Sequence, residues 1–302
     1  MIIIGGPTAS GKTAVAAAVA KALNGEIVSA DSMQVYKGMD IGTAKTSDAE
    51  LGVRQHMVDV VEPFENFTVV DYRERAEEAI KDIEKRRKLP VVAGGTGFYI
   101  TSLISECGYG NQSDPQIQAQ LRGDLERLGA ESLHKRLKEL DPVSADKIHY
   151  NNTKRLIRAL EVCLATGKPF SDQQNIRYNP VSPYIMFVIS PERAQLYNNI
   201  EKRLDSMFEM GLEAEVRGLI EEKNLDFSMQ SMQGIGYKEW KPYFEGECGI
   251  YDVFEAIKKN TKVYAKRQQT WFKHQYQNPI FISGTAGQMA EAIINYYKNT
   301  NF

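Results

Sequence analysis

The sequence predicts an α/β fold, a parallel sheet flanked by helices and interrupted by an all-helical insertion. Three observations predict it. Short apolar runs alternate with amphipathic runs at helical spacing, the pattern of strands joined by helical crossovers. The first apolar run ends in Gly6-Pro7-Thr8-Ala9-Ser10-Gly11-Lys12-Thr13, which reads G-x-x-x-x-G-K-T. Residues from 114 to about 167 carry helix signals only. At 302 residues the chain has room for one large domain with an insertion. The expected division is a core of 1–111 and 185–302 around an insertion of 112–184.

The opening Ile2-Ile3-Ile4 is a buried strand, too short and too poor in basic residues before it to be a signal peptide. The glycine-rich turn after it lets backbone N–H groups point inward around an anion, and the helix that follows adds its positive end. The fold is therefore P-loop NTPase-like, and Gly6 to Thr13 bind a di- or triphosphate. Lys12 reaches the outer phosphates and the Thr13 hydroxyl ligates Mg²⁺. The motif leaves open whose phosphates these are and what becomes of them.

Residues 26–30 form a second buried strand that ends at Asp31-Ser32. Polar residues at a strand's C-terminal end beside a phosphate loop are where α/β folds keep their chemistry. Residues 33–45 have no clean period and are rich in Gly and polar residues, so a long surface loop is expected, of the kind that binds something. Residues 56–61 are a third strand candidate. A helix over 69–87 follows, with Val69, Tyr72, Ala76, Ala79, Ile80 and Ile83 at helical spacing. Its basic end, Lys85 to Lys88, reads as a solvated cap on the helix dipole. Residues 90–93 are a buried strand leading into Gly94-Gly95-Thr96-Gly97, which again sets a hydroxyl and backbone donors at the sheet's edge.

Residues 108–113 read as a turn-rich linker into the insertion. Four helices follow, opened by Asp114-Pro115, near Glu131, by Asp141-Pro142 and by the cap Asn152. On the fourth, Lys154, Arg155 and Arg158 share one face, with Leu156, Ile157 and Leu160 opposite. Taken alone this is a solvated face. Residues 184–190 return to the sheet as a strand, and a helix over about 191–210 carries Glu201 and Arg203. Gln233 to Lys238 is a glycine turn with aromatic and basic residues. A long helix over 254–276 bears six basic residues and one acid, Glu255, interleaved with Tyr264, Trp271 and Phe272. It could equally be a packed helix with a basic face or a surface for an RNA backbone and stacked bases. A short strand at 280–282 and a helix at 289–297 close the chain.

The overall charge of −2 gives no nucleic-acid signature, so any such binding rests on local basic patches. Cys107, Cys163 and Cys248 are odd in number and far apart, which argues for reduced thiols in a cytosolic setting. The scattered His56, His134, His149 and His274 do not suggest a zinc site, and no apolar run approaches a membrane span.

Six motifs occur in order: GPTASGKT, DSMQVYKGMDIGTAK, GGTGFY, KRLIRALEV, QGIGYKE and AKRQQTWF. Together they resemble the bacterial tRNA dimethylallyltransferases, also called tRNA isopentenylpyrophosphate transferases, over nearly the whole chain. The phosphate loop is shared with many kinases; the other blocks are far more specific. The resemblance implies transfer of a dimethylallyl group from its diphosphate to the exocyclic amine of the adenosine 3′ of the anticodon, in tRNAs reading codons that begin with U. Mg²⁺ is the implied cofactor and a cytoplasmic monomer the implied state. Asp31 matches the family's catalytic aspartate, Thr96 its active-site threonine and Arg203 its diphosphate arginine. Asp31, Ser32, Met33, Gln34 and Thr96 are implied to face the extruded base, with Gln34 reading its edge. Further implied tRNA contacts are Gln118, the segment Lys154, Arg155, Leu156, Ile157 and Arg158, and the segment Gln233, Gly234, Ile235, Gly236, Tyr237 and Lys238. The long helix adds the stretch 261–268, with Lys262, Lys266 and Arg267. The insertion is implied to close over the anticodon stem-loop.

Two positions depart from the family pattern. Gln118 and Gln233 stand where many members carry arginine, which bears on RNA grip and not on catalysis. The rival readings each lack a feature. A small-molecule kinase leaves GGTGFY without a role, an AMP-modifying relative has no use for the insertion and basic helix, and a non-catalytic RNA-binding protein does not need Asp31 at the strand end. An ordinary prenyl synthase would need a DDxxD-type cluster, which is absent.

Overall fold

The computed structural model describes residues 1–106, 114–174 and 177–300. The expected linker 108–113 and Cys107 lie outside the described residues. In chain order the elements are β1 (Ile2–Gly5), α1 (Lys12–Ala22), β2 (Gly25–Ser29), α2 (Asp48–Leu51), β3 (Gln55–His56), α3 (Val69–Lys85), β4 (Leu89–Gly94) and α4 (Gly97–Ile104). Then come β5 (Ser105–Glu106), α5 (Pro115–Leu128), α6 (Ala130–Leu140), α7 (Pro142–Lys147), α8 (Thr153–Thr166) and β6 (Arg177–Tyr178). The last stretch holds β7 (Ile185–Ile189), α9 (Arg193–Glu209), α10 (Leu212–Glu221), α11 (Lys241–Phe244), α12 (Ile250–His274), β8 (Ile280–Ile282) and α13 (Ala286–Asn299). Among the described residues, no helix is long and apolar enough to cross a membrane.

Two compact units result, residues 1–103 with 181–302, and residues 104–180. The larger is built on a six-stranded sheet in the order β3-β2-β4-β1-β7-β8, with every pairing parallel. Its central strand β1 is buried along its whole length, which is why it reads as an unbroken Ile run. Val15 and Val19 of α1 and Met289 and Ile293 of α13 pack with Ile4 and Phe187 into one core. α3 starts at a capping box between Thr68 and Asp71 and buries Tyr72, Ala76, Ile80 and Ile83, the face its periodicity predicts.

Three expectations for this unit need correction. Residues 33–45 are irregular, but Val35, Tyr36 and Met39 are fully buried, so the stretch is anchored and not a free surface loop. The third strand is only Gln55–His56, with one further bridge between Tyr36 and Val61. The basic end of α3 is no solvated cap: Arg86 and Lys88 both pair with the buried Glu26, which His56 also contacts at 2.7 Å. Those partners hold the Glu26 carboxyl well below the usual range, chiefly through Arg86.

The smaller unit has its own core, in which Leu121, Leu133, Leu137, Leu156 and Leu160 meet. Asp114, Asp141 and Asn152 cap its helices as their side chains predict. It is not wholly helical, since β5 and β6 pair antiparallel. Two-residue strands are too short for alternation to reveal.

Candidate active site

The site is assembled at the C-terminal edge of the sheet, where β1, β2 and β4 end side by side. Past β1 the phosphate loop turns through Ala9 and Gly11, both at positive φ. Gly11 precedes α1 without a side-chain cap, so the first N–H groups of that helix stay open to an anion. Lys12 folds back over the loop and donates to the Pro7 carbonyl at 2.5 Å. Burial pushes its ammonium down to about 7, with Asp31 opposing and Arg203 adding to that shift. The buried Ser10 hydroxyl has no partner among the described residues.

Past β2, Asp31 accepts the N–H of Met33 at 2.9 Å, closing a tight turn. Past β4, Thr96 accepts the N–H of Ser32 at 3.0 Å and lies 3.3 Å from the Ser32 hydroxyl. The two strand ends are thus locked together. Arg203 arrives from α9, one guanidinium nitrogen 3.2 Å from the Thr8 hydroxyl and the other 3.2 Å from the Thr43 carbonyl. Burial lowers its pKa and Asp31 opposes that; a guanidinium stays charged regardless.

Two cavities meet here. The smaller, about 60 Å³, is lined by Lys12, Thr13, Gln34 and Gln268 among others. The larger, about 420 Å³, is lined by Ser32, Met33, Gln233, Tyr264 and Arg267 among others. Thr8, Asp31 and Arg203 border both. The small cavity has cations, backbone donors and a hydroxyl, which suits phosphate oxygens. The large one is wide enough for a nucleobase.

Other expected site residues distribute unevenly. Gly234, Ile235, Gly236 and Lys238 line the large cavity with Gln233, and Gln233 also donates to the Phe227 carbonyl. Lys266 and Arg267 are exposed on α12, whereas Lys262 pairs with Glu201 at 2.5 Å. In the helical unit Lys154 and Arg155 are exposed. There Gln118 and Arg158 both donate to the buried Glu161, at 3.3 and 2.8 Å.

Several expected roles do not fit these positions. Gln34 accepts from Ser29, donates one amide N–H to the Thr43 carbonyl, and borders the small cavity and not the large one. Leu156 and Tyr237 are fully buried, and Ile157 packs against the helical core. These are packing residues carried along inside motifs whose exposed members are Lys154, Arg155, Gln233 and Lys238. Phe272 is buried over Gly5 and is no stacking platform. Gln268 is buried as well: it accepts the Thr8 N–H at 2.8 Å and donates to the Gly95 carbonyl at 2.9 Å.

Sequence reasoning missed Glu215, whose carboxylate holds the loop at 40–42. No local signal marks one glutamate among several on an amphipathic helix. Tyr264 reads in the sequence only as one of several interleaved aromatics of a packed or RNA-facing helix. That side chain lines the large cavity, and burial together with Asp31 pushes its phenol up to about 12, so it remains a donor at neutral pH.

Among the described residues no cluster of three or more His, Cys, Asp or Glu could hold a metal. The Thr13 hydroxyl on the wall of the small cavity is a sparse oxygen donor. That fits Mg²⁺, which keeps its waters and takes most other ligands from substrate phosphates.

Residues 34–275 match the family model for IPP transferase. The chain is 45% identical over 302 residues to the tRNA dimethylallyltransferase of Acetivibrio thermocellus, spanning 99% of this chain and 96% of that protein. It is 45% identical over 287 residues to the enzyme of the same name from Lachnoclostridium phytofermentans, spanning 94% and 91%. The crystal structure of tRNA delta(2)-isopentenylpyrophosphate transferase from Staphylococcus epidermidis matches with a TM-score of 0.71 at 40% identity, over 99% of this chain and 98% of that one. A eukaryotic dimethylallyltransferase acting on tRNA matches with a TM-score of 0.82 at 27% identity, over 99% and 79%.

Proposed function

The chain belongs to the IPP transferase family, and from that membership and its joined cavities we infer that it is a tRNA dimethylallyltransferase. The acceptor is N6 of the adenosine immediately 3′ of the anticodon, in tRNAs that read codons beginning with U. The observation that carries the mechanism is the shared border of the two cavities at Thr8, Asp31 and Arg203. A prenyl diphosphate with its phosphates among Lys12, Thr13 and the loop presents its first carbon at that border. An adenine extruded into the larger cavity presents N6 from the other side.

The adenine amine is a weak nucleophile because its lone pair is delocalised into the ring. As N6 forms its bond to the first prenyl carbon, the carbon–oxygen bond breaks and its electron pair leaves on the diphosphate. The N6 proton passes to the Asp31 carboxylate, a contribution of about 10²–10⁴-fold for a positioned base. Lys12, Arg203 and the loop N–H groups meet the charge that develops on the diphosphate, and such preorganised donors usually supply the largest share of the acceleration. Mg²⁺ on the Thr13 hydroxyl, when bound, adds to that neutralisation. Thr96 accepts the Ser32 N–H and donates to the Ser32 hydroxyl at 3.3 Å; turning that O–H from Ser32 to a substrate oxygen makes it a donor to the departing diphosphate. Lys154, Arg155, Lys238, Lys266 and Arg267 are the cations that contact tRNA phosphates.

Nuclease mapping by mass spectrometry tests the position. The added prenyl mass is expected on the single nucleotide 3′ of the anticodon and is lost when guanosine replaces that adenosine. Prenyl mass on other adenosines of the same tRNA contradicts the assignment.

A further inference from the structure

The Thr43 carbonyl that receives Arg203 belongs to an irregular stretch, and what fixes that stretch comes from α10. The Glu215 carboxylate accepts three successive backbone N–H groups, from Asp40 at 2.7 Å, Ile41 at 2.6 Å and Gly42 at 3.0 Å. It also accepts the Tyr237 hydroxyl at 2.7 Å. Bonds to an ionised acceptor are roughly twice as strong as neutral ones, and here four converge on one group. Glu213 and Glu221 of the same helix pair with Arg217 in an ordinary surface arrangement. Glu215 turns to the loop instead, and it does not itself line the cavity.

The contacts around this carboxylate join two walls of the large cavity. Gly42 lies on the Tyr237 ring, where a Cβ would come 2.5 Å from a ring carbon. Gly234, two residues from Gly236 on the same turn, lies against the Met33 side chain, where a Cβ would collide with it. Met33, Gly42 and Thr43 line the large cavity from one segment and Gly234 to Gly236 from the other. The spacing between them is set by glycine contacts and held by Glu215. Thr43 directly follows the three clamped residues; its carbonyl also accepts the Gln34 amide at 3.2 Å and its hydroxyl donates to the Met39 carbonyl at 2.6 Å, so the clamp sets the carbonyl direction together with these bonds. Arg203 has two acceptors in this structure, Thr8 and Thr43, and loss of the second frees one arm of its planar fork.

We propose that Glu215 is a positioning residue of this site, which aims the Arg203 guanidinium by fixing the Thr43 carbonyl. This rests on the reading above, in which Arg203 receives the diphosphate. The test is steady-state kinetics with dimethylallyl diphosphate and anticodon stem-loop RNA, for Glu215→Gln in the wild-type and Arg203→Ala backgrounds. In the wild-type background KM for the diphosphate rises about 10-fold while kcat falls less than about 3-fold. In the Arg203→Ala background the same substitution changes that KM by less than about 2-fold, because the group it aims is gone. Tyr237→Phe removes one donor and keeps the ring; it shifts KM by about 2–4-fold in the same direction, vanishes with Arg203→Ala, and serves if Glu215→Gln does not fold. An equal factor in both backgrounds, or no change in KM, overturns the proposal. Wild-type enzyme that transfers nothing to the stem-loop contradicts the function itself, which keeps the two failures apart.

Discussion

The side-chain carbonyl of Gln268, on α12, accepts the backbone N–H of Thr8 in the phosphate loop at 2.8 Å. The same amide donates to the Gly95 carbonyl at 2.9 Å. One buried side chain therefore ties the basic helix to both the diphosphate loop and the turn that carries Thr96. A Cβ at position 95 would come 2.2 Å from the Gln268 amide nitrogen, so a larger residue there displaces that side chain.

Gln268→Ala leaves the half-buried Thr8 N–H without its Gln268 acceptor and the Gly95 carbonyl with the Gly97 N–H alone, at about 1–3 kcal/mol for an unsatisfied group. Urea unfolding is expected to show a loss of stability in that range, and KM for the diphosphate to rise several-fold. Unchanged stability would mean that water replaces both bonds.

Asp31→Ala is expected to lower kcat by about 10²-fold or more while tRNA affinity changes by less than about 3-fold. Filter binding and single-turnover transfer read the two quantities separately. Lost affinity with normal turnover of bound tRNA would make Asp31 a contact and not a base.

Lys12 carries a pH prediction. Its folded-state pKa lies near 7, against an ordinary 10.5, mainly because of burial. Below about 7 the ammonium is already charged and binding takes up no proton on its account. Above 7 an arriving diphosphate restores the charge and draws one proton in, so affinity falls as pH rises. Calorimetry at pH 8 in buffers of differing ionisation enthalpy is expected to show this uptake, and Lys12→Ala to abolish it. Equal uptake in both proteins would put the proton elsewhere.

The basic face of α12 and the packed face of α8 separate RNA grip from stability. Lys266→Ala with Arg267→Ala is expected to weaken tRNA binding and reduce the salt slope by roughly 1 for each charge removed. Leu156→Ala is expected to cost about 2–5 kcal/mol of stability in the helical unit, with the salt slope unchanged. A slope that falls for Leu156→Ala would return that residue to the RNA surface.

Much of this was legible because the signals are local. The Ile run of β1, the glycines of the phosphate loop and the caps Asp114, Asp141 and Asn152 each act within a few residues of themselves. The ordered motifs singled out Asp31, Thr96 and Arg203; Asp31 and Thr96 follow β2 and β4 at one sheet edge, and Arg203 borders the same two cavities as Asp31. What could not be read depends on distant partners. Gln34 faces inward because Ser29 and Thr43 take up its amide. Arg86 and Lys88 look like a solvated tail until Glu26 lies beneath them. Glu215 is one acid among several until the loop at 40–42 folds onto it. A motif also carries its packing residues with it, and burial alone separates Leu156 and Tyr237 from their polar neighbours.

The central claim is that the phosphate loop holds a leaving group and that the acceptor is an adenosine within tRNA. Incubation with labelled dimethylallyl diphosphate, Mg²⁺ and unmodified tRNA, in the presence of excess AMP, tests it most directly. Label is expected on the tRNA and not on AMP; label on AMP with none on the tRNA would contradict the account.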